Sequence, residues 1–123
     1  ESLWTPTARE METAEALLPQ YFSDKIARLK FQDSCHERGY FHIQPLNQFF
    51  RQYAGLVMDG QRFLYLNFFN KSYAGGNLGA SREWRFEPVM ICDGGPDFWG
   101  LEFDLEKQRF QNPRFNGWLS ECP

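Results

Sequence analysis

The chain is poor in the residues on which small-protein chemistry is usually built. It has two histidines, His36 and His42, and three cysteines, Cys35, Cys92 and Cys122. A thiol nucleophile needs a histidine placed as its base, and both histidines lie in a segment far from Cys92-Asp93, which argues against a cysteine hydrolase. Zinc sites draw on short paired spacings such as Cys-x-x-Cys; Cys35-His36, His42 and Cys122 do not supply one. Three thiols allow one bridge and three pairings; if one forms, Cys35 with Cys122 is expected, because both stand in polar surroundings while Cys92 sits in an apolar run. No apolar stretch approaches the roughly 18 residues of a membrane span, so none is expected. A net charge of −3 with both signs interspersed lacks the basic stripe of a nucleic-acid footprint. The chain opens at Glu1 instead of Met, and a processed or trimmed form is expected.

Aromatic residues, by contrast, are abundant. Of 123 residues, 42% are hydrophobic and 18% aromatic, with 13 Phe and 4 Trp, enough to build one core without metals or many staples. The length suits a single domain spanning residues 1–123.

The stretch Val89 to Leu105 organises the rest. Val89 to Cys92 is a continuous apolar run, Asp93, Gly94, Gly95, Pro96 and Asp97 are turn formers, and the return strand alternates. Trp99, Leu101, Phe103 and Leu105 point to the core. Phe98, Gly100, Glu102 and Asp104 face the other way, on a side expected to be at least partly wet.

Thr7 and Glu10 fit a capping box that starts a helix near Ala8. Met11, Ala14, Leu18, Tyr21, Phe22 and Ile26 form its apolar stripe, opposite Arg9, Glu12 and Glu15. Pro19 predicts a kink or a break into two helices, and Gln32 to Gly39 reads as a loop. Asp59-Gly60 between apolar runs is a two-residue hairpin signal; it places Met58, Leu56, Ala54 and Gln52 opposite Gln61, Phe63, Tyr65 and Asn67, with Val57, Gly55 and Tyr53 opposite Arg62, Leu64 and Leu66. Lys71 to Glu83, with its glycines, reads as a long connection, and a last strand is expected around Phe110. The expected fold is therefore α+β: one or two N-terminal helices packed on a four- to five-stranded antiparallel sheet.

Arg51-Gln52-Tyr53-Ala54-Gly55, the Trp84 to Pro88 approach, Cys92-Asp93-Gly94-Gly95, Phe98-Trp99-Gly100, Glu102-Phe103-Asp104 and Phe115-Asn116-Gly117 together resemble a family of small exported bacterial proteins. The likeness covers most of the chain after Gln48, and before it only the Leu18-Pro19 step of the helix. It implies a bacterial source and a periplasmic or secreted location, and no activity. A fainter resemblance, to cystatin-type inhibitors, implies a helix laid across an antiparallel sheet; Gln52-Tyr53-Ala54-Gly55 is one residue shorter than their Gln-x-Val-x-Gly hairpin, and their Pro-Trp is missing.

Asp93, Asp97, Glu102 and Asp104 are the densest acidic cluster. Such carboxylates suit calcium or an acid and base pair, but aspartates beside a glycine turn more often cap its amides, and no metal or cofactor is expected. Asn70-Lys71-Ser72 matches the glycosylation pattern, a frequent chance occurrence. What remains is a non-enzymatic binding, inhibitory or immunity-type module whose partner is another protein, working through aromatic, arginine and acidic residues among Arg51, Tyr53, Tyr65, Asp93, Asp97, Trp99 and Glu102. The alternative is a small-ligand protein or enzyme with an aromatic pocket between helix and sheet, contacted by Arg51, Tyr53, Trp99 and Glu102.

Overall fold

Thr7 has extended backbone, its hydroxyl accepts the Glu10 amide at 3.2 Å, and the Glu10 carboxylate accepts the Thr7 amide at 2.9 Å, so the capping box forms and opens helix α1, Ala8–Tyr21. This comes from a computed structural model that describes residues 2–32, 40–73 and 95–116. The expected stripe is the buried one: Ala14, Leu18, Phe22 and Ile26 all enter the core, and Tyr21 packs on Phe110 with ring centroids 5.3 Å apart.

Pro19 does not break the helix, contrary to the sequence expectation. The helix continues through it to Tyr21 and then widens into a π-helical turn, Phe22–Ile26, closed by the Ala27 amide on the Phe22 carbonyl at 2.8 Å. A helical proline costs roughly 3 kcal/mol, whereas burying Leu18, Phe22 and Ile26 returns about 1.5 to 3 kcal/mol each. The anchors on both sides of Pro19 therefore hold the helix together, with the proline ring exposed to solvent.

The main sheet is antiparallel and five-stranded, in the order β1-β4-β5-β6-β7. Its strands are β1 (Ser2–Trp4), β4 (Phe49–Met58), β5 (Gln61–Asn70), β6 (Gly95–Asp104) and β7 (Arg109–Asn116). Two three-residue strands, β2 (Lys30–Gln32) and β3 (Tyr40–His42), pair separately. They flank the expected loop, most of which lies outside the described residues. Neither they nor β1 was foreseen, since three residues are too few to show a period. Lys71–Tyr73 makes one 3-10 turn; the remainder of that connection, the Val89 to Cys92 run, Asp93 and all three cysteines also lie outside the described residues.

The β4–β5 hairpin has the predicted register at every pair, from Met58 opposite Gln61 to Gln52 opposite Asn67. Asp59 and Gly60 take φ of +52° and +78°, both positive as a type I′ turn demands. At β6 the expectation fails in one respect: Gly95, Pro96 and Asp97 are strand and not turn. The β5 ladder reaches only to Phe98, and the β7 ladder skips from Gly95 to Trp99. Pro96 thus falls where neither neighbour asks for its missing amide.

Helix α1 lies on one face of the sheet, over Leu64, Leu66 and Phe68 of β5 and Trp99, Leu101 and Phe103 of β6. Trp99 is at the centre, fully buried, stacked on Phe68 at 3.8 Å and edge-on to Phe49 at 5.8 Å.

Candidate functional site

Burial overturns one expectation about the opposite, outer face. Phe98, Gly100, Glu102 and Asp104 do point away from the helix, but all four are buried, Glu102 and Asp104 only 9% and 2% exposed. Asp104 Oδ1 accepts the amides of Glu106 at 2.9 Å and Lys107 at 3.0 Å, capping the turn that leads into β7. Glu102 Oε1 accepts Gln111 Nε2 and Asn112 Nδ2, both at 3.0 Å. Between Gly100 opposite Arg114 and Glu102 opposite Gln111, β7 carries one residue more than β6, and Asn112 there has φ of +52°. This is a β-bulge, and the Glu102 carboxylate ties its side chain down. Neighbouring strand and turn cover these carboxylates, which simple alternation cannot foresee.

Six of the seven sequence-predicted residues are described, and they fall in four places. Arg51 and Tyr53 lie on the helix side of β4, where they meet a residue that the sequence reading assigned to solvent. Arg51 Nε and Nη2 donate to the two oxygens of Glu15 at 2.7 and 2.6 Å, Arg51 Nη1 donates to the Phe49 carbonyl at 3.1 Å, and the Tyr53 hydroxyl donates to Glu15 Oε2. The guanidinium also sits 5.8 Å from the Phe68 ring. Joining helix and strand through these bonds, the cluster clamps α1 to the sheet. Glu15 follows Met11 by four residues and precedes Leu18 by three, so helical periodicity alone was enough to place it beside the stripe. Trp99, the second place, is core. Asp97 is separate, half-buried at the far end of β6, where its Oδ1 accepts Asn70 Nδ2 at 3.5 Å. Asp93 lies outside the described residues.

Burial raises the Glu15 carboxyl, but the hydrogen bonds from Arg51 and Tyr53 and the guanidinium charge outweigh it and hold the group below its ordinary 4.5. Glu10 is likewise lowered, by the Thr7 amide first and then, against a smaller rise from burial, by the Thr7 hydroxyl and Arg62. A lowered folded pKa contributes stability that is present above the unfolded value and lost as pH falls through the folded one. Thermal melts should therefore show stability declining below pH 4.5, with a shallower decline in Glu15→Gln; an identical acid limb in that variant would sink the assignment.

Tyr65 and Glu102 do come together, as register partners at the centre of the outer face. The Tyr65 ring lies across Gly100, where an added Cβ would stand 1.8 Å from its hydroxyl oxygen; only glycine leaves room for it. Burial is the main reason that the Tyr65 hydroxyl titrates above its ordinary value; the Glu102 charge adds to the rise and Arg114 opposes it. Around this tyrosine stand exposed Ala54 and Arg114, and the amide pair Asn67 Nδ2 to Gln52 Oε1 at 3.1 Å. Gln52, Asn67, Gln111, Asn112 and Arg114 were not singled out from the sequence, though Asn112-Pro113 inside a strand is a bulge signal. The face offers a neutral phenol, a cation and several amides, which is recognition chemistry. Among the described residues, no group of three histidine, cysteine or acidic side chains could hold a metal ion.

No family model, curated protein or solved structure matches the chain. The Gln52 to Gly55 segment, compared above with an inhibitor hairpin, lies in the middle of β4 and not at a turn.

Proposed function

We propose that the chain is a non-enzymatic binding module of an exported bacterial protein, inhibitory or immunity-type, that holds a partner protein against the sheet face opposite α1. The observation that carries this reading is Tyr65, propped over Gly100 and flanked by Glu102, Arg114 and the Gln52–Asn67 pair. A tyrosine fixed by its own strand loses little conformational freedom on binding, and its ring and hydroxyl supply apolar area and a hydrogen bond together. The amide-rich surroundings suit the polar rim of a protein interface. Arg51 and Tyr53 serve the fold in this reading. Beneath the middle of α1 the Phe68–Trp99 stack and its neighbours pack as core, which favours the outer face over an aromatic pocket at Trp99.

Photo-crosslinking in the bacterial periplasm tests it. With a photoreactive residue at Ala54 on the outer face, a discrete protein adduct is expected; with the same residue at Ala16 on the exposed side of α1, none. Tyr65→Ala should weaken the purified complex by roughly 2 kcal/mol or more. An adduct from Ala16 alone, or a complex indifferent to Tyr65→Ala, would remove the reading.

A further inference from the structure

Strand β1 is only three residues long, yet one of its side chains occupies a built site. Trp4 pairs with Gly55 of β4, where a Cβ would stand 2.4 Å from the Trp4 carbonyl oxygen and 2.5 Å from the indole. Gly55 is therefore the floor of a slot that any larger residue would fill. The indole Nε1 donates to the Leu56 carbonyl at 3.1 Å, and the Arg62 guanidinium covers the ring at 4.0 Å from its centroid. Arg62 is itself paired with Glu10, the capping-box residue at the start of α1. Floor, acceptor and cationic cover together recognise one side chain, a tryptophan, presented from an antiparallel strand.

The tie between this strand and the body of the fold is short. Thr5 and Pro6 are in neither strand nor helix, and Thr7 is extended at φ −80° and ψ 159°. Pro6 offers no amide, and the residue before a proline favours extended backbone. The linker thus has a straight conformation open to it, in which β1 leaves its own sheet while the capping box stays closed.

We propose that β1 is an exchangeable strand: the Trp4 slot of one copy accepts Trp4 of a second copy, giving a strand-swapped dimer. The contacts made in exchange are the same as those made within one chain, so the closed and swapped forms differ mainly in the linker and in concentration. The second copy is the occupant that the slot fits, because it carries the same tryptophan in the same register against the same acceptor.

Two full-length variants test this by complementation. Trp4→Ala leaves the slot without its tryptophan; Gly55→Val keeps Trp4 but closes the slot. Each alone should sediment as a monomer, and an equimolar mixture should gain a species of twice the mass. A mixture that stays monomeric, with both variants giving the wild-type far-ultraviolet spectrum, overturns the proposal. Should either variant fail to fold, wild-type sequence carrying a photoreactive residue at Leu3 decides. Nitrogen-15-labelled and unlabelled chains are mixed at high concentration and irradiated. Crosslinks from position 3 to the Gly55–Val57 region that join one labelled and one unlabelled peptide are expected; crosslinks confined to one label overturn the proposal.

Discussion

Trp99→Ala is expected to cost about 3 to 5 kcal/mol, the range for truncating a large aromatic in a packed core. The side chain is 0% exposed and touches rings from three directions: Phe68 stacks on it at 3.8 Å, Phe49 meets it edge-on at 5.8 Å, and Phe22 of the π-helical turn lies at 6.0 Å. Helix and sheet both lose their anchor when it goes, and rings held in three different elements cannot close the space by a side-chain shift alone. Trp99→Phe makes the assignment sharper. The indole Nε1 is buried without a hydrogen-bond partner among the described residues, and an orphaned donor costs roughly 1 to 3 kcal/mol. Phenylalanine gives up apolar area but removes that orphan, so the two terms oppose and the net loss should stay near roughly 1 kcal/mol. Chemical denaturation of the three proteins checks both figures; a phenylalanine variant as unstable as the alanine one would mean that the indole nitrogen has a partner.

What was legible in the sequence is what depends on near neighbours. The capping box needs only Thr7 and Glu10, and the β4–β5 register follows from a two-residue turn whose Asp59 and Gly60 accept positive φ. The core list was readable for a related reason: Ala14, Leu18, Phe22 and Ile26 repeat with the helix, Trp99, Leu101 and Phe103 with the strand. The misreadings arise where distant segments decide. Pro19 is a helix breaker in isolation, and only burial of Leu18 and Phe22 on the sheet overrides it. Alternation assigns Glu102 and Asp104 to a face, but whether that face is wet depends on the β7 bulge and the turn before it. The Trp4–Gly55 contact spans fifty-one residues of chain and leaves no local trace. The tyrosine-centred face was half legible: the hairpin register already set Gln52, Ala54 and Asn67 beside Tyr65, while Gly100, Glu102 and Arg114 join them only through the pairing of β5 with β6 and of β6 with β7.

Replacing Glu102 and Asp104 together by alanine should cost roughly 2 to 6 kcal/mol, the sum of two losses of about 1 to 3 kcal/mol for half-buried hydrogen bonds to a charged acceptor. Without Asp104, the amides of Glu106 and Lys107 lose their acceptor at the head of the β6–β7 turn; without Glu102, Gln111 and Asn112 lose theirs at the bulge. The sites are two residues apart and share β7, so the losses need not add, and each single variant should be measured with the pair. The two amide replacements separate acceptor from charge. Glu102→Gln and Asp104→Asn each retain a carbonyl oxygen that can take the same hydrogen bonds, and that pair should lose less than half of what the alanine pair loses. Urea denaturation gives the comparison. If amide and alanine pairs fall equally, the negative charges and not the accepted hydrogen bonds hold β7 in place. If neither falls, Glu102 and Asp104 contribute nothing to the fold and belong with Tyr65 as groups kept for a partner, a result that calorimetric titration of the alanine pair with the captured protein would then read directly.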